Sequence, residues 1–371
     1  MAERVDLAII GGGCAGLSLA RRLASGGYGG RAVVIEPRAA YHDDRSWCFW
    51  SRNPHPLASA SWSRWRFSRD DGTALVHHSE KWRYQYVRSA DFYADAAQRI
   101  AVSRGVELRL GSSCSHVSPH CGGLRLETCA GPIDAEAVVD TRPPERRAGA
   151  QLHQCFLGVE IEDEGAFDPS CAGLMENMKR GPHGFEFTYL LPVSQDRAVV
   201  EHTVFSTRAV APDRLRRSLQ ATLKGLGLER SRELRREGAI LPMGVMEAPA
   251  EAPPGLVRAG AGAGAMRPAT GYAFRRIEAW AGLCAQSLIE GGAPIGEAGR
   301  SDAAGWFDSV FLRALSRDGA PAPDWFFSMA KGLGADGFAH FMSDEARARD
   351  YGAVLTSLPP APFIAAALRA A

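Results

Sequence analysis

The amino-acid sequence predicts an α/β protein in which a Rossmann-type dinucleotide-binding domain is interrupted by a mixed β-sheet domain and followed by carboxy-terminal helices. Three observations lead to this prediction. A strand, a glycine-rich turn and a helix open the chain, aromatic-rich β segments then interrupt the βα pattern, and a second glycine-rich turn precedes a helix after residue 255. With 371 residues, the chain is long enough for two packed domains.

The amino-terminal segment has the full pattern of a dinucleotide-binding motif. Residues 5–10 form an apolar run suited to a buried parallel strand. Three glycines follow at G-x-G-x-x-G spacing, namely Gly11, Gly13 and Gly16. A helical pattern comes next, and a second apolar run ends at Glu36, twenty residues after Gly16. The glycines let the backbone approach a pyrophosphate, and Glu36 is placed to bond ribose hydroxyls. The motif therefore predicts bound FAD or NAD.

The segments that follow favour FAD over NAD. A nicotinamide dehydrogenase normally continues with regular βα repeats, whereas residues 41–87 here contain aromatic-rich β segments that suit an inserted substrate sheet. The βα pattern resumes over residues 88–111, and further strands are predicted at residues 124–129 and 136–143. This order indicates an FAD domain interrupted by a substrate domain.

A second turn with the properties of a flavin contact is predicted within residues 256–274. A short strand leads into a glycine- and alanine-rich turn and then a helix, with Gly264, Pro268 and Gly271 in the turn. Backbone N–H groups at such a turn can lie beside a flavin and its linker. We therefore assign these three residues to cofactor binding, the alternative being an ordinary loop before a packed helix.

Two strands joined by a turn are predicted at residues 184–192 and 198–206. In the first strand, Phe185, Phe187 and Tyr189 share one face. These three rings are candidates for substrate binding, because aromatic faces can stabilise a passing cation. The alternative is that they form core.

Glu201 lies in the second of these strands, on the same face as Thr203, while His202 points the opposite way. If the Glu201 face is also the aromatic face, a carboxyl group lies among rings. Burial would then raise its pKa and keep a proton available to donate. The alternative is a solvent-facing charge, because exposed glutamates are common.

Several segments in order along the chain resemble bacterial FAD-dependent lycopene cyclases of the lycopene β-cyclase type. The most specific are DRSWCFW at residues 44–50, the strands around Glu201, and PATGYAF at residues 268–274. The resemblance extends from residue 5 to about residue 369. It implies a fold related to the flavin hydroxylases and geranylgeranyl reductases.

The resemblance also implies a redox-neutral cyclisation that requires reduced FAD, with NAD(P)H as the reductant. A proton adds to the terminal double bond of a ψ end group of lycopene, the neighbouring double bond closes the ring, and proton loss leaves a β-ionone ring, as in γ- and β-carotene. The family's E-x-T element matches Glu201 and Thr203, which implies that Glu201 is the acid and that Thr203 belongs to the substrate site. We further expect Arg45 at the cofactor, and Trp47 with Trp50 at the substrate entrance, the alternative being structural packing and a surface ion pair.

Three positions depart from the patterns of related proteins. His202 stands where some relatives have a second carboxylate, which weakens a relay between adjacent carboxylates, and Glu176 lies near a position where relatives often carry an aspartate. Ala261 occupies the place where flavin hydroxylases hold the ribityl chain with an aspartate, which disfavours hydroxylation. Three rivals remain, namely an FAD-dependent monooxygenase, a prenyl-chain reductase acting on an isoprenoid, and a flavoprotein that only binds a carotenoid.

The charge balance and the cysteine pattern argue against nucleic-acid and metal partners. The 43 basic and 42 acidic residues nearly balance, so no broad field attracts nucleic acid. The eight cysteines include no C-x-x-C pair, which predicts free thiols in a reducing cytoplasm and no metal site. His116 and His120 are predicted to lie in a loop without a metal. No apolar run approaches the roughly 20 residues that span a bilayer.

The domain prediction combines these segments. The FAD-binding domain is assigned to residues 1–45, 85–150 and 255–295, the substrate domain to residues 46–84 and 151–254, and a helical region to residues 296–371. Because a polyene substrate dissolves only in lipid, we expect a cytoplasmic protein that contacts the inner face of the cytoplasmic membrane. The candidate contact segments are residues 206–218 and 362–371.

Overall fold

The computed structural model describes residues 2–143, 150–244, 252–297 and 303–368. The strands are β1 (Glu3–Ile10), β2 (Ala32–Glu36), β3 (Ser46–Ser51), β4 (Ala58–Trp62), β5 (Arg64–Arg69), β6 (Ala74–His78), β7 (Arg83–Arg88), β8 (Val106–Leu110), β9 (Cys114–His120), β10 (Gly123–Thr128), β11 (Gly131–Asp140), β12 (Leu152–Glu162), β13 (Ala172–Gly181), β14 (Gly184–Pro192), β15 (Arg197–Ser206), β16 (Arg232–Met243) and β17 (Leu256–Arg258). The helices are α1 (Cys14–Ser25), α2 (Ser89–Ala101), α3 (Pro212–Gly225), α4 (Phe274–Ile289), α5 (Ala303–Arg317), α6 (Ala322–Met342), α7 (Ala348–Ser357) and α8 (Pro360–Ala367), and a 3₁₀ helix spans Gly260–Ala263.

The first of two compact units comprises Met1–His42, Ser89–Ala148 and Met246–Ser301. Its sheet has the order β8-β2-β1-β11-β10-β9, with β17 paired to β11. The pairs among β8, β2, β1, β11 and β17 are parallel, whereas β9, β10 and β11 pair antiparallel. The apolar runs of β1 and β2 supply part of the buried core, as expected for parallel strands covered on both faces. The predicted fold with a Rossmann-type FAD-binding domain is confirmed.

The loop predicted around His116 and His120 is wrong, because residues 114–120 form the edge strand β9. This strand pairs with β10 across a turn in which Cys121 and Gly122 both have positive φ, at 46° and 82°. Pro119 is tolerated because an edge strand leaves some backbone N–H positions without a partner strand. Composition alone disfavoured a strand here, and the pairing with β10 outweighed it.

The second unit comprises Asp43–Arg88, Gly149–Val245 and Asp302–Ala371. Its large sheet has the order β16-β12-β15-β14-β13-β5-β6, and a smaller one has the order β3-β7-β4. The helices from α5 onward belong to this unit, whereas residues 296–371 were expected to form a separate helical region. Aromatic packing accounts for this, because Phe326 of α6 stacks on Phe185 of β14.

The two faces of the large sheet have different coverings. Helix α3 lies on one face, where Leu215 and Leu219 pack on alternate residues of β12 and β15, such as Val159 and Val204. The opposite face carries the residues between them, including Glu201. Within the described ranges, no helix is both long and apolar enough to cross a membrane.

Candidate active site and cofactor-binding turns

Glu201 belongs to a row of residues that crosses four neighbouring strands of the second unit. The register pairs Tyr189 with Glu201, Glu201 with Gly158, and Gly158 with Glu237. Residues paired directly across a sheet point to the same face. The row therefore holds a phenol, two carboxyl groups and, between the carboxyl groups, a glycine without a side chain.

Aromatic rings lie on the same face beside this row. The ring centroid of Phe187 lies 5.4 Å from those of Phe185 and Tyr189. Phe326 stacks on Phe185 with 4.8 Å between ring centroids. The register between β14 and β15 places the three strand rings on the face of Glu201. The acid hypothesis depended on this shared face, and the structure meets that condition.

The surroundings of Glu201 favour its protonated form. The residue is partly buried, and its Oε1 accepts a hydrogen bond of 2.8 Å from Thr203 Oγ1. Burial, and next the charge of Glu237, raise the pKa of Glu201 from its ordinary 4.5 to about 8, against the opposing effects of the Thr203 hydrogen bond and the Arg235 charge. A carboxyl group with this pKa keeps its proton at neutral pH and can act as a general acid. Glu201 is therefore not the solvent-facing carboxylate that was the alternative expectation from the sequence.

Glu237 is a functional candidate that no sequence pattern indicated. It is buried, and its Oε1 accepts a hydrogen bond of 2.7 Å from Ser46 Oγ. Its Oε2 accepts one of 3.0 Å from Arg235 Nη1. Arg235 also donates from Nε to Oε2 of Glu160 at 2.8 Å. The alternation of residues 232–243 is enough to predict which residues share a sheet face with Glu237. The residues of other strands that contact Glu237 depend on how those strands are paired.

Arg45 and Trp47 have different surroundings, because Arg45 lies in an ion pair at the surface and Trp47 lies in the small sheet. Arg45 is exposed and forms an ion pair of 2.7 Å with Asp44, so its predicted contact with the cofactor stays a prediction. Trp47 lies on β3 with its side chain on the opposite face from Ser46, and its predicted substrate contact also stays a prediction. Trp50 is buried and packs 4.5 Å from Tyr84 between ring centroids, which agrees with the structural alternative.

His202 and Glu176 lie on the other face of the large sheet. The register pairs Thr188 with both of them, and all three line a cavity of about 630 Å³ beside α3. His202 Nδ1 lies 3.2 Å from Thr222 Oγ1, and burial lowers the pKa of this imidazole to about 4. Glu176 accepts hydrogen bonds of 2.7 and 2.8 Å from Arg66. Neither residue can therefore supply a second carboxylate or a base to the Glu201 face.

The amino-terminal turn of the first unit has the backbone that its glycines predict. Gly11 has a φ of 98°, where a side chain is strained. A Cβ on Gly16 would collide with the carbonyl oxygen of Gly11, so the close approach of α1 to β1 requires glycine. A Cβ on Gly13 would meet nothing within 4 Å, and α1 begins at the next residue without an acidic side chain in its first turn. This open, positive helix end fits a pyrophosphate.

Glu36 lies beside this turn at the end of β2. Its Oε2 accepts a hydrogen bond of 2.8 Å from the Gly12 N–H, and its Oε1 accepts one of 2.8 Å from Arg38 Nε. Burial alone would raise the pKa of Glu36, but hydrogen bonds from Arg38 and Gly12 and the Arg38 charge outweigh it and lower the pKa. An ionised carboxylate at this position fits the predicted role of accepting hydrogen bonds from ribose hydroxyls.

The later turn also has a backbone that requires glycine. Gly264 and Gly271 have φ values of 91° and 72°, Pro268 lies between them, and α4 follows. Ala261, where a hydroxylase carries its aspartate, lies in the 3₁₀ helix. A carboxylate nevertheless reaches this turn, because Glu297 Oε2 accepts a hydrogen bond of 2.7 Å from the Gly260 N–H. The residues of both turns therefore fit a dinucleotide.

Comparisons with known proteins agree with this architecture. Residues 6–368 match the family described as Lycopene cyclase protein. The lycopene beta-cyclase of Pseudescherichia vulneris is 26% identical over 377 residues, covering 96% of this chain and 95% of that protein. A geranylgeranyl bacteriochlorophyll reductase-like protein from Thermoplasma acidophilum aligns over 96% of both chains, with a TM-score of 0.61 and 16% identity. The p-nitrophenol 4-monooxygenase of Pseudomonas putida aligns over 97% of this chain and 98% of its own, with a TM-score of 0.61 and 15% identity. At these identities, the two solved structures establish a shared fold.

Proposed function

Because the chain belongs to the lycopene cyclase family, we propose that it converts the ψ end groups of lycopene into β-ionone rings. The observation that carries this proposal is the position of Glu201. It is a partly buried carboxyl group with a pKa raised to about 8, on the same sheet face as three aromatic rings. A proton donor beside surfaces that stabilise cations is what a proton-initiated cyclisation requires.

Glu201 donates its proton to the terminal double bond of the polyene and leaves a tertiary cation. The faces of Phe185, Phe187 and Tyr189 stabilise this charge, and their packing excludes water that would capture it. The neighbouring double bond closes the six-membered ring, and loss of one proton gives the β ring. One proton enters and one leaves, so substrate and product have the same mass.

FAD is the cofactor of this proposal. When bound and reduced by NAD(P)H, it would supply negative charge that stabilises a cation. The glycine turn at Gly11, Gly13 and Gly16 would hold the pyrophosphate. Glu36 would bond the ribose, and the backbone around Gly264 would contact the flavin.

The first experiment combines purified protein, FAD, NADPH and lycopene in liposomes without oxygen. Products are separated by chromatography and identified by absorbance and mass. We expect a product of unchanged mass with a shortened chromophore, lost in Glu201→Gln. The matched control is Glu186→Gln, on the neighbouring strand and the opposite face, which should retain activity.

The rival functions give different products. A gain of two hydrogens would indicate a reductase, and a gain of one oxygen would indicate a monooxygenase. Full activity in Glu201→Gln would remove Glu201 from the chemistry while leaving the family assignment intact.

We also propose that the protein contacts the cytoplasmic membrane through α7 and α8, because lycopene dissolves only in lipid. Leu355, Ile364 and Leu368 are 59%, 58% and 78% exposed, while Phe363 packs 5.8 Å from Phe311 between ring centroids. Helix α8 thus uses one side for packing and leaves apolar residues on another. Residues 369–371 of the predicted contact segment lie outside the described residues.

Flotation with liposomes tests this contact. The double variant Ile364→Asp and Leu368→Asp should lose most binding, whereas Leu283→Asp on α4, at a position 62% exposed, should bind as the wild type does. Equal flotation of all three proteins would place the membrane contact elsewhere.

A further inference from the structure

The structure supplies a second carboxylate that the sequence pattern lacked. We propose that Glu237 is a positioning residue for the reaction, because its carboxylate, fixed beyond Gly158, keeps the proton on Glu201 between turnovers. This inference rests on the proposed function of Glu201. It replaces a relay between adjacent residues of one strand, which His202 prevents because it points to the other face.

The backbone brings the two carboxyl groups together across one strand. Glu201 and Glu237 both pair with Gly158, from opposite sides of β12. Neighbouring strands lie about 4.8 Å apart, so the two Cα atoms lie roughly 10 Å apart with both side chains on the same face. Glycine leaves the space between them open, since a Cβ at this position would lie 3.1 Å from Glu201 Cβ. No side chain of β12 therefore stands between the two carboxyl groups.

Glu237 is held in one place by two donors. Ser46 Oγ donates to Oε1 at 2.7 Å, and Arg235 Nη1 donates to Oε2 at 3.0 Å. The side chain of Glu237 is 6% exposed, so its charge is poorly screened by solvent. A mobile or solvated carboxylate would exert a much weaker effect on Glu201.

Arg235 does not cancel the charge of Glu237, because other carboxylates share it. In the described part of the chain, ion pairs within 4.0 Å join three guanidinium groups to three carboxylates, namely Arg88, Arg197 and Arg235 with Asp43, Glu160 and Glu237. An ionised Glu201 would add a negative charge on the face that already carries Glu160 and Glu237, which favours its protonated form.

Two further titratable groups near these carboxyl groups are neutral at neutral pH. Burial raises the pKa of the Cys48 thiol, and both Glu201 and Glu237 act on it in the same direction. Burial likewise raises the pKa of Tyr86, whose hydroxyl accepts a hydrogen bond from Arg235. The charge of Glu237 is the largest electrostatic influence on the pKa of Glu201 after burial.

The test measures the titration of Glu201 directly. Carbon-13 NMR of protein labelled at the glutamate carboxyl carbons, with Glu201→Gln to identify the signal, gives its pKa in the wild type and in Glu237→Gln. We expect the pKa to fall by about one unit in Glu237→Gln, because nearby like charges shift a carboxyl pKa by this order. Cyclisation measured from pH 6 to 9 should fall about five-fold at pH 8 and stay near the wild-type rate at pH 6.

Two further variants complete the experiment. Glu237→Asp keeps the negative charge but moves it away by the length of one methylene group. The pKa of Glu201 in this variant should therefore lie between the values in the wild type and in Glu237→Gln. If Glu237→Gln does not fold, a lower Glu201 pKa in Glu237→Asp than in the wild type is the test. Glu233→Gln, at an exposed position of the same strand, controls for the loss of any glutamate and should leave the profile unchanged.

An unchanged Glu201 titration in Glu237→Gln would overturn the inference, as would an unchanged titration in Glu237→Asp where only that variant folds. This holds even if cyclisation slows at all pH values, because a uniform loss indicates a structural role. The NMR titration needs no turnover. A lowered pKa in a protein that does not cyclise lycopene would therefore support the coupling and reject the proposed function.

Discussion

The raised pKa of Glu201 predicts that the contribution of this residue to the stability of the second unit falls as pH increases. The folded protein binds the Glu201 proton more tightly than the unfolded chain does. Between the ordinary pKa of 4.5 and the folded value of about 8, the folded state therefore holds more protons, and the free energy of unfolding decreases with rising pH. Replacing Glu201 with glutamine removes this contribution while preserving the size of the side chain.

The magnitude follows from the two pKa values. One pKa unit corresponds to about 1.4 kcal/mol, so a change from 4.5 to about 8 gives an upper bound of about 5 kcal/mol. Partial exposure of Glu201 and relaxation around it reduce this figure, and we expect about 2 kcal/mol. Relative to wild type, Glu201→Gln should therefore gain about 2 kcal/mol of stability between pH 5 and pH 9.

Urea unfolding at pH 5, 7 and 9 measures this difference. Seven of the eight tryptophans lie in the second unit and one, Trp280, lies in the first, so tryptophan fluorescence reports mainly on the unit that contains Glu201. Glu233→Gln is the control for removing a carboxyl group from an exposed position. A stability difference between wild type and Glu201→Gln that stays constant from pH 5 to pH 9 would refute the reasoning.

Three other substitutions test separate contacts. Thr203→Val removes the 2.8 Å hydrogen bond that lowers the pKa of Glu201, so the basic limb of the pH–activity profile should move upward; a downward movement would contradict this assignment. Gly158→Ala places a Cβ 3.1 Å from that of Glu201 and should displace the acid by a few tenths of an ångström, lowering kcat about ten-fold with little change in flavin content. Gly16→Ala forces α1 away from the Gly11 carbonyl and should abolish retention of FAD on gel filtration, and normal retention would contradict the predicted turn.

The departure from the family pattern at His202 has a structural explanation in this chain. Adjacent residues of a strand point to opposite faces, so a carboxylate at this position would face α3 and Thr222, as His202 does. The neighbours of Glu201 on its own face of β15 are Val199 and Thr203, which carry no charge, so a second charge close to Glu201 comes from another strand. Glu237 of β16 meets this requirement, because Gly158 leaves the intervening position empty.

The sequence alone determined the features that depend on short-range geometry. The dinucleotide-binding turn follows from glycine spacing, because φ values such as the 98° of Gly11 favour glycine locally. The faces of Glu201 and His202 follow from strand alternation, which has a period of two residues. The strand pair around Glu201 was also predictable, since its short turn fixes which residues of the two strands lie opposite each other.

Only the tertiary structure decided which distant strands flank the acid. β12 pairs with β15 and β16 through backbone hydrogen bonds that depend little on residue type, so the sequence does not specify that Gly158 lies between Glu201 and Glu237. The residues of β9 also show that composition does not reveal strand pairing. Their composition predicts a loop, but they form a strand because they pair with β10. The raised pKa of Glu201 belongs to this second class as well, because burial and the charge of Glu237 exist only once these strands have come together.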